Sequence, residues 1–335
     1  MTVPAEKQTS LLSTSFEPLL HRHPANPILT SKDWPYPINS VFNAGATLLA
    51  DGTTLLLCRV EDRRGLSHLC AARSRNGVDG WQIDSQPTLM ADPKNYPEEI
   101  WGIEDASHHL RPRTSKIRCD LHVLFARRSG RVSCPERRPP QIRAIRRDHA
   151  AGRQGLRPSA SENRWMLGSD TSSHDDARVT HVISYSPDLR YWGRHRLMLE
   201  ARRGAWWDAN KIGLSPPPIE TSRGWLVFYH GVRHTPSGCL YRLGLALFDL
   251  ENPEKCLLRG DSWIFGPEAE YERHGDVDDV VFPCGYTMDA DGDTLNIYYG
   301  AADCAIALAR ASVKSLLDWL NVNGSCERRQ RAQDV

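Results

Sequence analysis

The sequence predicts an all-β fold, because strand signals dominate the chain and helical signals are nearly absent. Runs rich in β-branched and aromatic residues are bounded by turn dipeptides, among them Asp51-Gly52 and Asp291-Gly292. Four such runs stand out: Thr53–Val60, Gly224–His230, Leu243–Leu250 and Asp293–Tyr299. Helical periodicity is clear only over Ser312–Leu320, which predicts a short C-terminal helix.

A weak internal repeat narrows the fold class. The segment Ala72–Trp81 is similar to Ile183–Trp192: each is a strand that ends in small residues and Ser, followed by a turn and a Trp that opens the next strand. A recurring strand–turn–aromatic unit without intervening helices is typical of a β-propeller or a β-sandwich. At ~40–50 residues per blade, the chain has room for about five such sheets.

Composition excludes several function classes. The apolar fraction of 40% and the charged fraction of 25% are typical of a soluble globular protein. The net charge of +1 provides no overall attraction to nucleic acid or a membrane, although the segment from residue 127 to 153 is rich in Arg. The nine Cys form no C-x-x-C pair, and the N-terminus carries no signal-peptide pattern. We therefore expect a cytoplasmic protein without a disulfide framework or a structural zinc site.

Motifs distributed along the chain resemble glycoside hydrolase family 130, the five-bladed β-propeller β-mannoside phosphorylases and their hydrolytic relatives. The resemblance covers roughly residues 26–106 and 178–320 and rests on the order and spacing of these segments: Asn26–Leu29, Val41–Ala46, Leu57–Glu61, Gly102–Ala106, Trp206–Asp208, Lys211–Gly213, Gly224–Leu226, Tyr229–Val232, Val281–Pro283 and Tyr299–Asp303. It implies a single all-β five-bladed β-propeller domain over residues 26–325 with a short C-terminal helix. An N-terminal extension (1–25) and a tail (326–335) flank this domain.

The carboxylate pair Glu104-Asp105 is the candidate catalytic motif. An inverting glycosyl transfer needs one acid to protonate the leaving oxygen, and in a phosphorylase inorganic phosphate is the nucleophile, so no second carboxylate is needed as a base. The resemblance implies that Asp105 is the proton donor, acting through a sugar hydroxyl. If the segment is a strand, Glu104 faces the other way and supports the site. The alternative is an exposed acid pair in a loop.

Two residues on the N-terminal side of this motif are candidate sugar ligands. Arg59 presents a planar fork for hydroxyls or phosphate, and the alternative is a surface Arg paired with Glu61. Asn43 precedes Ala44-Gly45 in an expected turn, where its amide would bind a hydroxyl, although Asn is ordinary in turns.

Three residues of the C-terminal half complete the candidate site. His230 is expected at the end of an apolar strand, where a structural His is the alternative, and the resemblance places it near the phosphate or the sugar. Lys211 is a candidate phosphate contact, because an ammonium is a good point charge for an anion. The resemblance implies that Asp303 contacts the sugar at the cleavage subsite. No metal or cofactor is expected besides phosphate as co-substrate, and a homo-oligomer is left open.

The segment from residue 107 to 176 departs from the family pattern. It is rich in Arg, Pro, Ser and His, and lacks the Pro-Glu-Asp-Lys-Asp run that the family carries after its Glu-Asp motif. Codons for His149–Gly155 can be chosen that, read one base later, encode Met-Pro-Pro-Glu-Asp-Lys. A shifted reading frame would therefore explain this segment, and the alternative is a genuine basic insertion without fixed structure.

The sequence thus predicts a phosphorylase that cleaves a non-reducing-end β-mannoside with inorganic phosphate, releasing α-mannose 1-phosphate with inversion. Two alternatives stay open. One is a β-mannoside hydrolase of the same fold, and the other is an inactive sugar-binding propeller damaged by the altered middle segment.

Overall fold

The computed structural model describes residues 18–96, 99–100, 102–104, 106–110, 117–121, 164–170, 180–186, 193–236 and 238–325. Strands dominate these residues, so the all-β expectation is confirmed. None of the helices in these ranges has the length and apolarity needed to cross a membrane.

Twenty strands, two α-helices and one short 3₁₀ turn occupy the described ranges. The first eleven strands are β1 (His21–Arg22), β2 (Leu29–Thr30), β3 (Ser40–Leu48), β4 (Thr54–Glu61), β5 (Ser67–Ser74), β6 (Gln82–Ile83), β7 (Ala106–Leu110), β8 (Ile117–Leu121), β9 (Arg164–Asp170), β10 (Thr180–Ser186) and β11 (Gly193–Leu199). The remaining strands are β12 (Lys211–Leu214), β13 (Ile219–Thr221), β14 (Gly224–Thr235), β15 (Gly238–Phe248), β16 (Cys256–Gly260), β17 (Val281–Met288), β18 (Thr294–Ala301), β19 (Ala305–Ser312) and β20 (Gly324–Ser325). The helices are α1 (Glu270–Arg273) and α2 (Val313–Asn323), and the 3₁₀ turn is Ser31–Asp33.

Within the described ranges, the strands form five sheets that follow one another along the chain. They are built around β3–β6, β7–β8, β9–β11, β12–β16 and β17–β19. Every pairing between these named strands is antiparallel, as expected when neighbouring strands are joined by short connections. Each sheet is therefore a local unit, and the fold depends on how these units pack together.

The N-terminal strands β1 and β2 join the last sheet. β1 pairs with β19 through His21 opposite Arg310, and β2 pairs with β19 as well. Leu20 is buried in the same core as this sheet. Paired structure therefore begins upstream of residue 26, where the sequence resemblance starts.

The C-terminal helix lies where periodicity predicts it. The hydroxyl of Ser312 accepts a hydrogen bond from the backbone N–H of Ser315 at 3.1 Å and caps the N-terminus of α2. Leu316 and Leu320, one turn apart, are buried against the core of the last two sheets. The helix is thus fixed by both its cap and its apolar face.

The first and last sheets pack closely against each other. Gly285 in β17 lies so close to the backbone of Ala46 in β3 that a β-carbon would collide with it. The hydroxyl of Tyr298 in β18 donates a 3.0 Å hydrogen bond to the carbonyl of Gly77, and its ring meets Trp81 edge to face. This packing brings β3 beside β17 and β18, where several of the candidate site residues lie.

Candidate active site

Arg59 in β4 is held on three sides. Its Nη2 donates a 2.8 Å hydrogen bond to Oε1 of Glu104, and its Nε donates to Oγ of Ser67 at 3.0 Å. Its Cζ lies 4.6 Å from the ring centroid of Phe42 on the neighbouring strand. Glu61, the partner considered from sequence, is 3.9 Å away. The guanidinium therefore has one fixed orientation, set mainly by Glu104.

Gly102 anchors the chain that carries Glu104. It forms a parallel bridge with Ser67, and the backbone N–H of Ile103 donates to the Ser67 carbonyl at 2.9 Å. Gly102 has a φ of +99°, and a β-carbon there would lie 2.6 Å from the backbone N and O of Ser67. Only glycine satisfies both constraints. Asp105, the predicted proton donor, lies outside the described residues.

Asn43 does not lie in a turn, as the sequence had suggested, but in the middle of β3. The register between β3 and β4 shifts between Phe42 and Gly45, and Asn43 takes a φ of 47° at this irregularity. A bulge explains the positive φ better than a turn, because it re-aims one side chain without ending the strand. The Asn43 amide oxygen occupies the space above Gly300 that a β-carbon would fill. Asn43 is therefore buried between the first and last sheets.

His230 lies within β14, which continues to Thr235 and does not end at the histidine as expected. The imidazole is buried, with its ring centroid 4.6 Å from Phe282 and 5.8 Å from Tyr241. Gly213 is its partner across β12, and the ring fills the space that a Gly213 side chain would take. The imidazole therefore lies in an aromatic pocket between two sheets.

Lys211 opens β12, two residues before Gly213. It pairs with Val232, as Gly213 pairs with His230. Side chains alternate along a strand, and directly opposed residues of an antiparallel pair share a face. Lys211 and His230 are therefore on the same face of this sheet.

Asp303 follows β18 in the tight connection to β19. Ala302 and Asp303 have φ values of 47° and 52°. Burial, and then the nearby Cys239 and Asp303, raise the pKa of Tyr241 above its ordinary value. The charge of Asp303 thus acts on a tyrosine whose ring contacts His230.

Direct contacts link most of these predicted residues. Glu104 binds Arg59, which lies over the ring of Phe42, and Asn43 follows Phe42 and packs on Gly300. Gly300 pairs with Phe282, whose ring contacts His230 and Tyr241. The described residues thus form one continuous polar and aromatic lining between the first sheet and the last two.

Sequence reasoning did not single out three residues of this lining: Ser67, Tyr241 and Phe282. Phe282 belongs to the matching segment Val281–Pro283, which is a signal that could have identified it. Ser67 and Tyr241 stand in no recognised motif, and only the pairing of strands places them here.

The Trp207-Asp208 motif supports the opposite face of the sheet. Asp208 is fully buried, and its Oδ2 accepts hydrogen bonds from Arg259 at 2.7 Å and from the hydroxyl of Tyr229 at 3.1 Å. Trp207 stacks on Tyr229 with ring centroids 5.6 Å apart, and burial raises the pKa of Tyr229 to about 12. Since Tyr229 and His230 point to opposite faces, this network supports the strand that carries the histidine.

No group of three or more His, Cys, Asp or Glu side chains within the described ranges is arranged to hold a metal ion. The side chains of the lining instead provide hydrogen-bond donors, hydrogen-bond acceptors and aromatic faces. This combination suits a hydroxyl-rich ring.

A family model described as glycoside hydrolase 130, β-1,4-mannooligosaccharide phosphorylase, matches residues 159–322. The chain is 30% identical over 318 residues to a β-1,4-mannooligosaccharide phosphorylase of Ruminococcus albus, covering 92% of both chains. It is 31% identical over 282 residues to a β-1,2-mannobiose phosphorylase of Listeria innocua, covering 77% of this chain and 70% of that enzyme.

The fold of this chain is also similar to that of a solved phosphorylase structure. The structure of a Listeria innocua β-1,2-mannobiose phosphorylase in complex with β-1,2-mannobiose superposes with a TM-score of 0.68 at 25% identity. This superposition covers 90% of the present chain and 99% of that one.

Proposed function

This chain belongs to glycoside hydrolase family 130, and on that premise we propose that it phosphorolyses β-mannosides from the non-reducing end. The products are α-mannose 1-phosphate and the shortened acceptor. The observation that carries this proposal is the continuous lining from Glu104 and Arg59 through Asn43 to His230 and Tyr241.

The fold proposed for this activity is a five-bladed β-propeller. Five successive antiparallel sheets among the described residues support it, as does the pairing of β1 and β2 with β19, which completes the last sheet with the start of the chain. Closure of this kind joins the two ends of a ring of blades. We propose one propeller domain that includes β1 together with residues 26–325.

In the proposed reaction, a phosphate oxygen attacks the anomeric carbon from the face opposite the leaving group. The bond from that carbon to the glycosidic oxygen breaks, and Asp105 supplies the proton to this oxygen through a sugar hydroxyl. Arg59, Asn43 and Asp303 hold the mannosyl hydroxyls, and Glu104 fixes Arg59. His230 and Lys211, on one face of their sheet, provide the phosphate contacts.

The experiment compares two substrates with and without phosphate. Purified protein is incubated with β-1,4-mannobiose or β-1,2-mannobiose, and phosphorus NMR follows mannose 1-phosphate while proton NMR gives its anomeric configuration. We expect α-mannose 1-phosphate only when phosphate is present. Mannose released at the same rate without phosphate would establish the hydrolase instead. Binding of mannobiose without any turnover would establish a sugar-binding protein.

A cytoplasmic location is part of the proposal. Cys58 and Cys70 face each other across β4 and β5, and both are buried free thiols. Free thiols at a directly opposed pair are in keeping with a reducing compartment.

A further inference from the structure

Two tryptophans that the proposed active site does not use lie at the surface beside the β14–β15 hairpin. Trp206 is 37% exposed and Trp263 is 39% exposed. Large indoles are usually more deeply buried, because each can remove a large apolar area from water. Two indoles that each stay more than a third exposed therefore call for an explanation.

Each indole carries an arginine on its ring. The Cζ of Arg202 lies 4.4 Å from the ring centroid of Trp206, and the Cζ of Arg242 lies 4.1 Å from that of Trp263. These cation–π contacts fix the orientation of both rings. Both rings are thus held in place while more than a third of each residue stays open to water.

The two indoles belong to one continuous surface. Nη2 of Arg202 donates hydrogen bonds to the carbonyl of Gly260 at 2.9 Å and to Oδ1 of Asp261 at 3.0 Å, two residues before Trp263. On the other side, Nη1 of Arg233 reaches the carbonyl of Ala205, which directly precedes Trp206, at 3.4 Å.

Arg233 and Arg242 are diagonal neighbours on one face of the β14–β15 hairpin, because Gly231 pairs with Arg242 and Arg233 pairs with Leu240. Burial, and then the charge of Arg233, lower the pKa of Arg242, as expected for two cations close together. We call the surface formed by Trp206, Trp263, Arg233 and Arg242 the tryptophan surface. Arg202 is itself buried and supports the ring of Trp206.

The tryptophan surface is on the opposite side of the hairpin from the proposed active site. Along β14, alternation places Tyr229, Gly231 and Arg233 on one face and His230 on the other. Gly231 pairs with Arg242, and a β-carbon on Gly231 would meet Trp207. A ligand on the tryptophan surface is therefore separate from one that contacts His230.

The charges of this surface are largely balanced. Arg202 is paired with Asp261 and with the buried Asp208, and Arg242 is near Asp279. A polyanion on this surface would meet Asp261 and Asp279 as well as Arg233 and Arg242. A neutral ligand with flat C–H faces and many hydroxyls fits better, because its rings stack on indoles while guanidinium N–H groups and carboxylates hydrogen-bond the hydroxyls.

We infer that the tryptophan surface is an auxiliary binding site for a neutral β-linked oligosaccharide chain. The choice of a mannan as its ligand rests on the proposed function. Such a site would bind one part of a long oligosaccharide while the non-reducing end of the same oligosaccharide occupies the catalytic site. It would therefore strengthen the binding of long substrates and not that of a disaccharide.

The test separates this site from the catalytic one. Calorimetry without phosphate measures the binding of β-1,4-mannohexaose to the wild type, to the double variant Trp206→Ala/Trp263→Ala and to Arg59→Ala. We expect the double variant to bind the hexaose about tenfold more weakly or worse, while its kcat/KM for mannobiose phosphorolysis is unchanged. Arg59→Ala should lose mannobiose turnover and retain most of its hexaose affinity. Leu250→Ala, an exposed apolar residue elsewhere, is the matched control and should change neither.

Equal hexaose affinity in the wild type and the double variant would overturn the inference, as would a wild type that binds no hexaose. Analytical ultracentrifugation tests whether a second copy of the chain occupies this surface instead. An oligomer that dissociates only in the double variant would make the surface a subunit contact and would also overturn the inference. If the wild type turns over no mannobiose but binds hexaose through the two tryptophans, the proposed function fails and the auxiliary site stands.

Discussion

Gly213 lies directly opposite His230, and the imidazole fills the space that a side chain at position 213 would take. Gly213 and His230 lie on two strands of one sheet, and Phe282 of the next sheet packs against the imidazole ring. A residue at position 213 thus controls the position of the histidine.

We predict that Gly213→Ala lowers phosphorolysis about 100-fold, because displacement of a ligand-binding group by about 1 Å costs on this order. Steady-state kinetics with phosphate as the varied substrate measures the loss. Gly266→Ala is the matched control, since a β-carbon there lies 3.3 Å from the flexible Arg242 side chain. Full activity of Gly213→Ala would show that His230 does not contribute to the site.

The ion pair between Arg59 and Glu104 gives a second prediction. Glu104→Gln keeps the shape but removes the charge that orients the guanidinium, and a charge-assisted hydrogen bond contributes about 1.5–3 kcal/mol. We expect kcat/KM for the mannoside to fall roughly tenfold or more. Glu61→Gln, whose carboxylate is 3.9 Å from Arg59, is the control and should cost less than about 1 kcal/mol. Equal effects of both substitutions would contradict the assignment of Glu104.

Local signals in the sequence predicted the elements of the fold well. The Asp51-Gly52 and Asp291-Gly292 turns were recognised because a glycine with positive φ is required there, and both glycines have it in the structure. Likewise, the spacing of apolar residues predicted the C-terminal helix, which the structure has as α2. Such features depend on a few neighbouring residues, which the sequence displays directly.

Contacts between distant segments determine the features of the fold and the site that could not be predicted from the sequence. Asn43 owes its backbone conformation to the shifted pairing of β3 with β4, and it packs on Gly300, more than two hundred positions along the chain. Tyr241 joins the lining only because β15 pairs with β14 and Phe282 packs against both. Likewise, no local pattern predicts the pairing of β1 with β19.

Asp105 carries the chemical step in the proposed mechanism. Asp105→Asn keeps the shape of the side chain and removes the proton, so we expect phosphorolysis to fall by ~10²–10⁴-fold. Calorimetry with mannobiose should show binding within a few fold of the wild type. A variant with wild-type turnover would mean that another group is the acid.

The anomalous segment gives a prediction at the level of the gene. If a shifted reading frame produced residues 107–176, a chain carrying the alternative-frame sequence regains the Pro-Glu-Asp-Lys run of the family. We expect its kcat/KM for phosphate to exceed that of the present chain by at least tenfold. A shuffled segment of the same composition is the control. Equal activity of the present and the alternative-frame chains would make the basic segment a genuine part of the enzyme.

Glu272 makes stability dependent on pH. Its carboxylate is buried and accepts hydrogen bonds from Arg22 at 2.8 and 2.9 Å and from the hydroxyl of Tyr299 at 2.7 Å. Burial alone would raise the pKa of Glu272, but the hydrogen bonds from Arg22, from two backbone N–H groups and from Tyr299 outweigh it and lower the pKa. The stability from this group is therefore present above the ordinary pKa of 4.5 and is lost as the pH falls through the lower folded value.

Glu272→Gln should therefore destabilise the protein at pH 7 and flatten the acid side of its stability profile. Removing one partner of a buried ion pair costs on the order of 3 kcal/mol, whereas Glu268→Gln changes a side chain that is 67% exposed and should cost less than about 1 kcal/mol. Urea denaturation at a series of pH values from 7 down to about 3 measures both. As the pH falls below 4.5, the wild type and Glu268→Gln should lose stability more steeply than Glu272→Gln. Parallel profiles for all three proteins would show that Glu272 has the same pKa in the folded and the unfolded chain. Another carboxylate would then be responsible for the acid sensitivity.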